Sequence, residues 1–247
     1  MTGTGFTDIA IAFDVPGMGE ALALDQRLGE GPEYAKVGLE LFTAAGPDVV
    51  RSLKARGRRV FLDLKLHDIP NTVRGAAASA ARLGADLLTV HAMGGRAMVA
   101  AAVEGVARAG GGTRVVGVTV LTSLDGYALP PGFASPFHTT LVVGQLAAMV
   151  SEAGAGGIVC SAAEVPFVHQ FVGSKFYAVT PGIRPAGGGT QDQARVATVE
   201  EAVLAGSSML VLGRAITGAQ DPRAALEAAR EQRDRALGAR PSPAGQA

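Results

Sequence analysis

The sequence predicts an α/β protein built as a single (β/α)8 TIM barrel. Eight short, β-rich apolar runs alternate with longer Ala-rich amphipathic segments along the 247 residues. Near-continuous apolar strands spaced by helices imply a parallel sheet covered by helices. Eight such units in a chain of this length suit a closed barrel better than an open doubly wound sheet. No GxGxxG follows the first strand, which weighs against a dinucleotide-binding half-sheet.

In chain order, the strands are expected at "IAIAFDV" (9–15), "YAKVGLEL" (34–41), "RVFLDLKL" (59–66) and "LLTVHA" (87–92). The next four are "RVVGVTVL" (114–121), "GIVCS" (157–161), "FYAVTPG" (176–182) and "MLVLGRA" (209–215). Helical patterns lie between them, as at 47–57, 69–84 and 96–110, and several end in Gly, the usual residue just past a helix C-terminus. Two connections are long, "TSLDGYALPPGFASPFH" after the fifth strand and "IRPAGGGTQDQARV" after the seventh. Both follow strand C-termini, the face on which barrel enzymes carry their active sites. The Gly-rich part of the second is expected to move and close over a ligand. Residues 1–247 are read as one domain, with disordered tails at about 1–6 and 238–247.

Composition bounds the partners. Lys plus Arg and Asp plus Glu both total 22, so the chain is formally neutral, which argues against nucleic acid or an anionic membrane surface as a main partner. An anionic ligand must then be met by a local cluster of charge. The single cysteine, Cys160 in "GIVCSAAE", allows no intrachain disulfide and no cysteine metal cluster, and it reads as a small buried hydrophobe. "MTGTGFTDIA" lacks a basic start followed by an apolar stretch, and the most apolar region is interrupted by Gln145, Ser151, Glu152 and several glycines. A soluble cytoplasmic protein is expected.

The third strand is the anomaly. "FLDLKLHDIPNT" packs two aspartates, a lysine and a histidine into the end of a strand that should be buried. Ionised groups are costly inside a core unless they are paired or used. Side chains two apart share a face of a strand, so Asp63 and Lys65 point into the barrel if Leu62, Leu64 and Leu66 meet the helices. The same alternation aims Lys36, with Gly38 beside it, inward from the second strand, and places Asp14 late in the first. Neighbouring parallel strands thus offer charges at one height, a pattern better suited to a site than to stability.

Asp68 reads equally as an N-cap for the helix near Pro70 or as a functional group. His67 reads as a rim residue and His91 as a satisfied core histidine. On the other side, "PGIR" follows the seventh strand and "LGRA" ends the eighth. Loops at these positions often bind phosphate through backbone N–H groups and a helix N-terminus, and Gly213, Arg184 and Arg214 suit that task. Thr122 and Ser123, ending the fifth strand, offer hydroxyls between the two clusters.

The array "AFDV…YAKVGLELF…FLDLKLHDIPNT…TVHA…LTS…TPGIRP…DQARVATVEEA…GRAIT", from about residue 8 to 236, resembles the orotidine 5′-phosphate decarboxylase family. The resemblance implies a cofactor-free decarboxylation of orotidine monophosphate in a homodimer with shared active sites. It implies that Lys65 protonates C6 of the pyrimidine as CO2 leaves, with Asp63 against the departing carboxylate. Lys36 completes the charged chain near the ribose, and Asp14 binds a ribose hydroxyl. Asp68 and Thr72 match positions contributed across the dimer interface to the neighbouring site. Thr122 and Ser123 match residues beside the pyrimidine. Arg184, Gln193, Gly213 and Arg214 match the phosphate-gripping set, Gln193 reaching from the mobile loop toward the base. No metal is expected.

Two rivals share parts of this pattern. Related sugar-phosphate decarboxylases and hexulose-phosphate synthases carry the Asp-x-Lys-x-x-Asp block but use magnesium with further acidic ligands. A non-catalytic barrel that senses the nucleotide would keep the arginines but have no use for a buried Lys65.

Overall fold

A computed structural model describes residues 6–31, 33–124, 139–184 and 196–239. The chain opens with β1 (Asp8–Ala12), α1 (Met18–Leu28), β2 (Tyr34–Gly38), α2 (Leu39–Ala45) and α3 (Asp48–Ala55). It continues through β3 (Arg59–Leu66), α4 (Pro70–Arg82), β4 (Leu87–His91), α5 (Gly95–Arg108) and β5 (Arg114–Val118). Then follow α6 (Thr139–Glu152), β6 (Gly157–Val159), α7 (Val165–Val172) and β7 (Tyr177–Arg184). The last elements are the two-residue β8 (Ala197–Thr198), α8 (Val199–Ala205), β9 (Met209–Leu212), α9 (Arg214–Thr217) and α10 (Pro222–Ala239).

All strand pairings are parallel, and the order β1 to β7 closes through β9 back onto β1, giving an eight-stranded barrel with β8 appended to β7. The (β/α)8 expectation therefore holds. Alternation along the strands makes two apolar layers. Ala10, Phe61, Leu87, Val116, Val179, Met209 and Val211 fill the barrel. Leu62, Val37, Leu88, Leu210 and their neighbours meet the surrounding helices, as does the fully buried Cys160.

The N-terminal end of the barrel is closed by a polar plug. Arg59 Nη2 donates to Asp8 Oδ1 at 2.9 Å, and Tyr177 Oη donates to Asp8 Oδ2 at 2.6 Å. The Arg59 guanidinium lies over the Tyr34 ring and that of Arg114 over Tyr177, at 4.0 and 4.2 Å. Burial first, then the Asp8 charge, pushes the Tyr177 hydroxyl well above its ordinary value, so it remains a donor. With this end sealed, the strand C-termini form the open mouth.

Several strands stop earlier than their apolar runs. β1 ends at Ala12, so Asp14 lies two residues past its strand rather than late within it. Residues 39–41 open α2 instead of extending β2. Thr122 and Ser123 follow β5 by a few residues, and Arg214 begins α9 rather than ending a strand. The reason is that burial continues past the strand ends: Phe13 and Val120 are buried one and two residues beyond β1 and β5. At the C-terminus α10 runs to Ala239, two residues into the expected tail. The Gly-rich stretch after β7 and most of the connection after β5 lie outside the described residues.

α4 and α5 pack closely enough that a Cβ at Gly105 would sit 2.2 Å from the Arg74 carbonyl oxygen. Backbone cannot rotate away as a side chain can. Gly105→Ala is expected to destabilise by about 1–3 kcal/mol, read as a fall in thermal midpoint of about 2–4 °C per kcal/mol, without altering the chemistry at the mouth.

Candidate active site

A cavity of about 330 Å³ opens at the C-terminal mouth of the barrel. Asp14, Lys36, Asp63, Lys65, Thr122, Ser123, Arg184, Gly213 and Arg214 all line it, so most of the residues singled out from the sequence meet in one place.

Four charged residues, Asp14 just past β1, Lys36 of β2, and Asp63 and Lys65 of β3, form a chain of alternating sign. Lys36 Nζ donates to Asp14 Oδ1 at 3.0 Å and stands 3.7 Å from Asp63 Oδ2. Lys65 Nζ donates to the same Asp63 oxygen at 2.8 Å. Register explains how the charges fit. Asp63 pairs with Gly38 of β2, where no side chain competes for space. A Cβ there would lie 3.2 Å from Lys36 Nζ and 3.3 Å from Asp14 Oδ1. Burial pushes the Asp63 carboxyl up, but the Lys36 and Lys65 ammonium groups, with hydrogen bonds from Lys65 and Thr89, reverse this and hold it below the usual carboxylate range. Asp63 is therefore an anion at neutral pH, fixed between two cations.

β3 does not reach this arrangement by plain alternation. Leu62 pairs with Leu88 and Leu66 with Val90, so β3 spends four steps where β4 spends two. The slack holds Asp63 and Lys65, and Lys65 lies at φ 47°, the left-handed region. No other non-glycine among the described residues does so. Such a conformation costs of the order of 1 kcal/mol in a residue with a Cβ. Both side chains face the cavity, as expected, but through a bulge. The residue that meets this slack is Thr89, which the sequence reading passed over. It is fully buried, its Oγ1 accepts from the Lys65 N–H at 2.8 Å, and it donates to Asp63 Oδ1 at 3.0 Å. The available signal was its parity, midway between Leu87 and His91 on the inward side.

On the opposite wall Arg184 ends β7, nearly buried, and Gly213 and the exposed Arg214 follow β9. α9 has only four residues, so the cationic wall rests mainly on the two guanidinium groups. Gln193 lies outside the described residues.

Asp68 and Thr72 do not line the cavity. Both are exposed beyond β3, beside Ile69, which is itself 66 % exposed. Asp68 Oδ1 accepts only the adjacent Ile69 N–H, at 2.6 Å, while Ile69 itself occupies the N-cap of α4 without a side-chain cap. The capping alternative for Asp68 is thereby corrected: its carboxylate sits one residue too early to reach the free N–H groups of the first turn. His67 is exposed and stacks on His91 with ring centroids 5.3 Å apart. His91 Nδ1 accepts the Met93 N–H at 3.3 Å, and burial, then His67 and Lys65, keep its ring below the ordinary value and so neutral.

A closed (β/α)8 barrel with a fixed lysine–carboxylate chain facing an arginine wall defines a barrel enzyme whose substrate is small and anionic. Comparison with known proteins is more specific. The family described as Orotidine 5′-phosphate decarboxylase / HUMPS matches residues 7–229. A protein of Cutibacterium acnes named orotidine 5′-phosphate decarboxylase is 50 % identical over 221 residues, covering 90 % of this chain and 94 % of its own. One of Anaeromyxobacter sp. (strain K), with the same name, is 53 % identical over 221 residues, covering 89 % and 95 %. The crystal structure of orotidine 5′-phosphate decarboxylase from Lactobacillus acidophilus superposes with a TM-score of 0.81 at 38 % identity, over 92 % of this chain and 99 % of that one. The chain belongs to the Orotidine 5′-phosphate decarboxylase / HUMPS family.

Proposed function

We infer that this protein is an orotidine 5′-phosphate decarboxylase, a carboxy-lyase that converts orotidine monophosphate to uridine monophosphate and CO2 in pyrimidine biosynthesis. The observation that carries the reading is the Lys65–Asp63–Lys36–Asp14 chain at one end of a cavity whose other end holds Arg184 and Arg214. Loss of CO2 from a vinylic ring carbon leaves an electron pair in the ring plane, where the π system does not delocalise it. The protein must then stabilise that charge electrostatically and supply a proton. The Lys65 ammonium, held by Asp63 and backed by Lys36, serves both purposes.

Asp63 also faces the substrate carboxylate. At about 4 Å and an effective dielectric of about 20, that repulsion is worth about 4 kcal/mol, at most roughly a thousandfold in rate. Stabilising the developing carbanion is the larger share. The arginine wall, with Gly213 and Gln193, takes the phosphate, Asp14 and Lys36 the ribose, and Thr122 and Ser123 the pyrimidine edge. Binding energy far from the reacting carbon thereby aligns it.

The barrel is proposed to act as one domain in a cytoplasmic homodimer that needs neither nucleic acid nor membrane. Leu39, Ile69 and Met93, following three neighbouring strands, leave large apolar side chains exposed on the face that carries Asp68 and Thr72. Covering that face with a second copy would deliver Asp68 and Thr72 to the partner's cavity. Mixing inactive Asp68→Ala and Lys65→Ala chains should restore about a quarter of wild-type activity, because half the dimers are hybrids with one intact site each. No recovery despite confirmed subunit exchange would refute shared sites.

The metal-dependent sugar-phosphate reading needs carboxylates available for magnesium. Those lining the cavity, Asp14 and Asp63, are each already ion-paired with lysine. The test is to mix the protein with orotidine monophosphate and follow loss of the orotate chromophore with and without excess chelator. Turnover is expected in both. No turnover in either, or turnover abolished by chelator, would overturn the reading.

A further inference from the structure

We propose that Thr89 is a positioning residue for the decarboxylation, stapling the β3 bulge so that the Lys65 ammonium is aimed along the charged chain; this rests on the decarboxylase reading above. The bulge gives β3 two residues more than β4 between the Leu62–Leu88 and Leu66–Val90 pairs, and Thr89 is the one β4 residue between those partners. A strand with slack has no ladder partner to fix its backbone, and Lys65 sits there in a conformation that L-residues disfavour. The Thr89 hydroxyl supplies what the ladder does not. It accepts the Lys65 N–H at 2.8 Å and donates its own proton to Asp63 Oδ1 at 3.0 Å. The other Asp63 oxygen receives Lys65 Nζ at 2.8 Å. One buried hydroxyl therefore fixes both the backbone from which the lysine departs and the carboxylate on which its ammonium rests. A β-branched residue suits this role, since its stiff χ1 holds the oxygen in place.

Thr89→Val keeps the shape and removes the oxygen; should it fail to fold, Thr89→Ala removes the same oxygen without setting a methyl group against the Asp63 carboxylate. Either is expected to lower kcat by about 10–100-fold through misplacement of the ammonium, with affinity for uridine monophosphate as in wild type. Thr89→Ser, which keeps the hydroxyl, should restore most of kcat. A pH profile adds a readout that a merely structural role would not move. Hydrogen bonding to a carboxylate favours its ionised form, so losing the Thr89 bond should raise the pH at which Asp63 takes up a proton and activity falls on the acid side. The charged groups facing Asp63, namely Lys36 from β2 and Lys65 from its own strand, with Asp14 beyond Lys36, are the same in both proteins.

A folded Thr89→Val enzyme with wild-type kcat and acid limb would overturn the proposal, as would Thr89→Ser being equally impaired. Wild type assayed alongside separates the two readings, since an inactive wild type sinks the decarboxylase assignment alone. In that event the crystal structure of Thr89→Val decides. Lys65 Nζ displaced from Asp63 by about 1 Å or more supports the staple, and an unmoved Nζ refutes it.

Discussion

Lys65→Ala should slow decarboxylation of orotidine monophosphate by about 10⁵-fold while the nucleotide still binds. The size follows from two functions removed at once. A positioned general acid contributes typically about 10²–10⁴-fold, and a preorganised donor facing developing charge contributes about 10²–10³-fold. The two overlap, so their full product is not expected. Binding survives because the arginine wall, the Thr122–Ser123 hydroxyls and the Lys36–Asp14 pair remain. The expected signature is therefore a collapse of kcat with nearly unchanged affinity for uridine monophosphate. Normal turnover in this variant would remove the lysine from the chemistry.

Asp63→Asn is the second large effect, expected at about 10³-fold in kcat. The substitution preserves shape and removes one negative charge from between two ammonium groups, each within 4 Å of it, at 3.7 Å for Lys36 and 2.8 Å for Lys65. Opposite charges about 4 Å apart at an effective dielectric of about 20 attract by about 4 kcal/mol, so losing one such attraction is equivalent to roughly a thousandfold in rate. Without that attraction Lys65, the more exposed of the two, turns out toward solvent. Repulsion between Asp63 and the substrate carboxylate points the other way for binding, so the variant should bind orotidine monophosphate more tightly than wild type does. A fall in kcat together with a fall in KM is the diagnostic pair. Unchanged kcat would mean that Asp63 is not what holds the ammonium.

Much of this was legible in the chain because its signals are periodic or chemically costly. The eight apolar runs announced a closed parallel sheet, since each helix-separated run had to be buried on both faces. Asp63, Lys65 and Lys36 stood out because charge in such a run demands an explanation. Where the strands end was less visible: Phe13 and Val120 stay buried past the strand ends, so apolar pattern alone overstates β1 and β5. The β3 bulge was invisible for a different reason. Two extra residues leave the local alternation of "FLDLKL" intact and show only in the pairing with β4. Thr89 was missed with it, as a threonine in a strand is ordinary until its partners are known. Asp68 and Thr72 lie on an exposed face, and only the family resemblance gave them a role.

The account rests on the Lys65 ammonium standing against the carbon that loses CO2. A crystal structure with a bound nucleotide analogue measures this directly. Lys65 Nζ should lie within hydrogen-bonding reach of C6, about 3 Å, with Asp63 Oδ2 still beside it. An Nζ turned away from the ring, toward the helices or the solvent, would contradict the account.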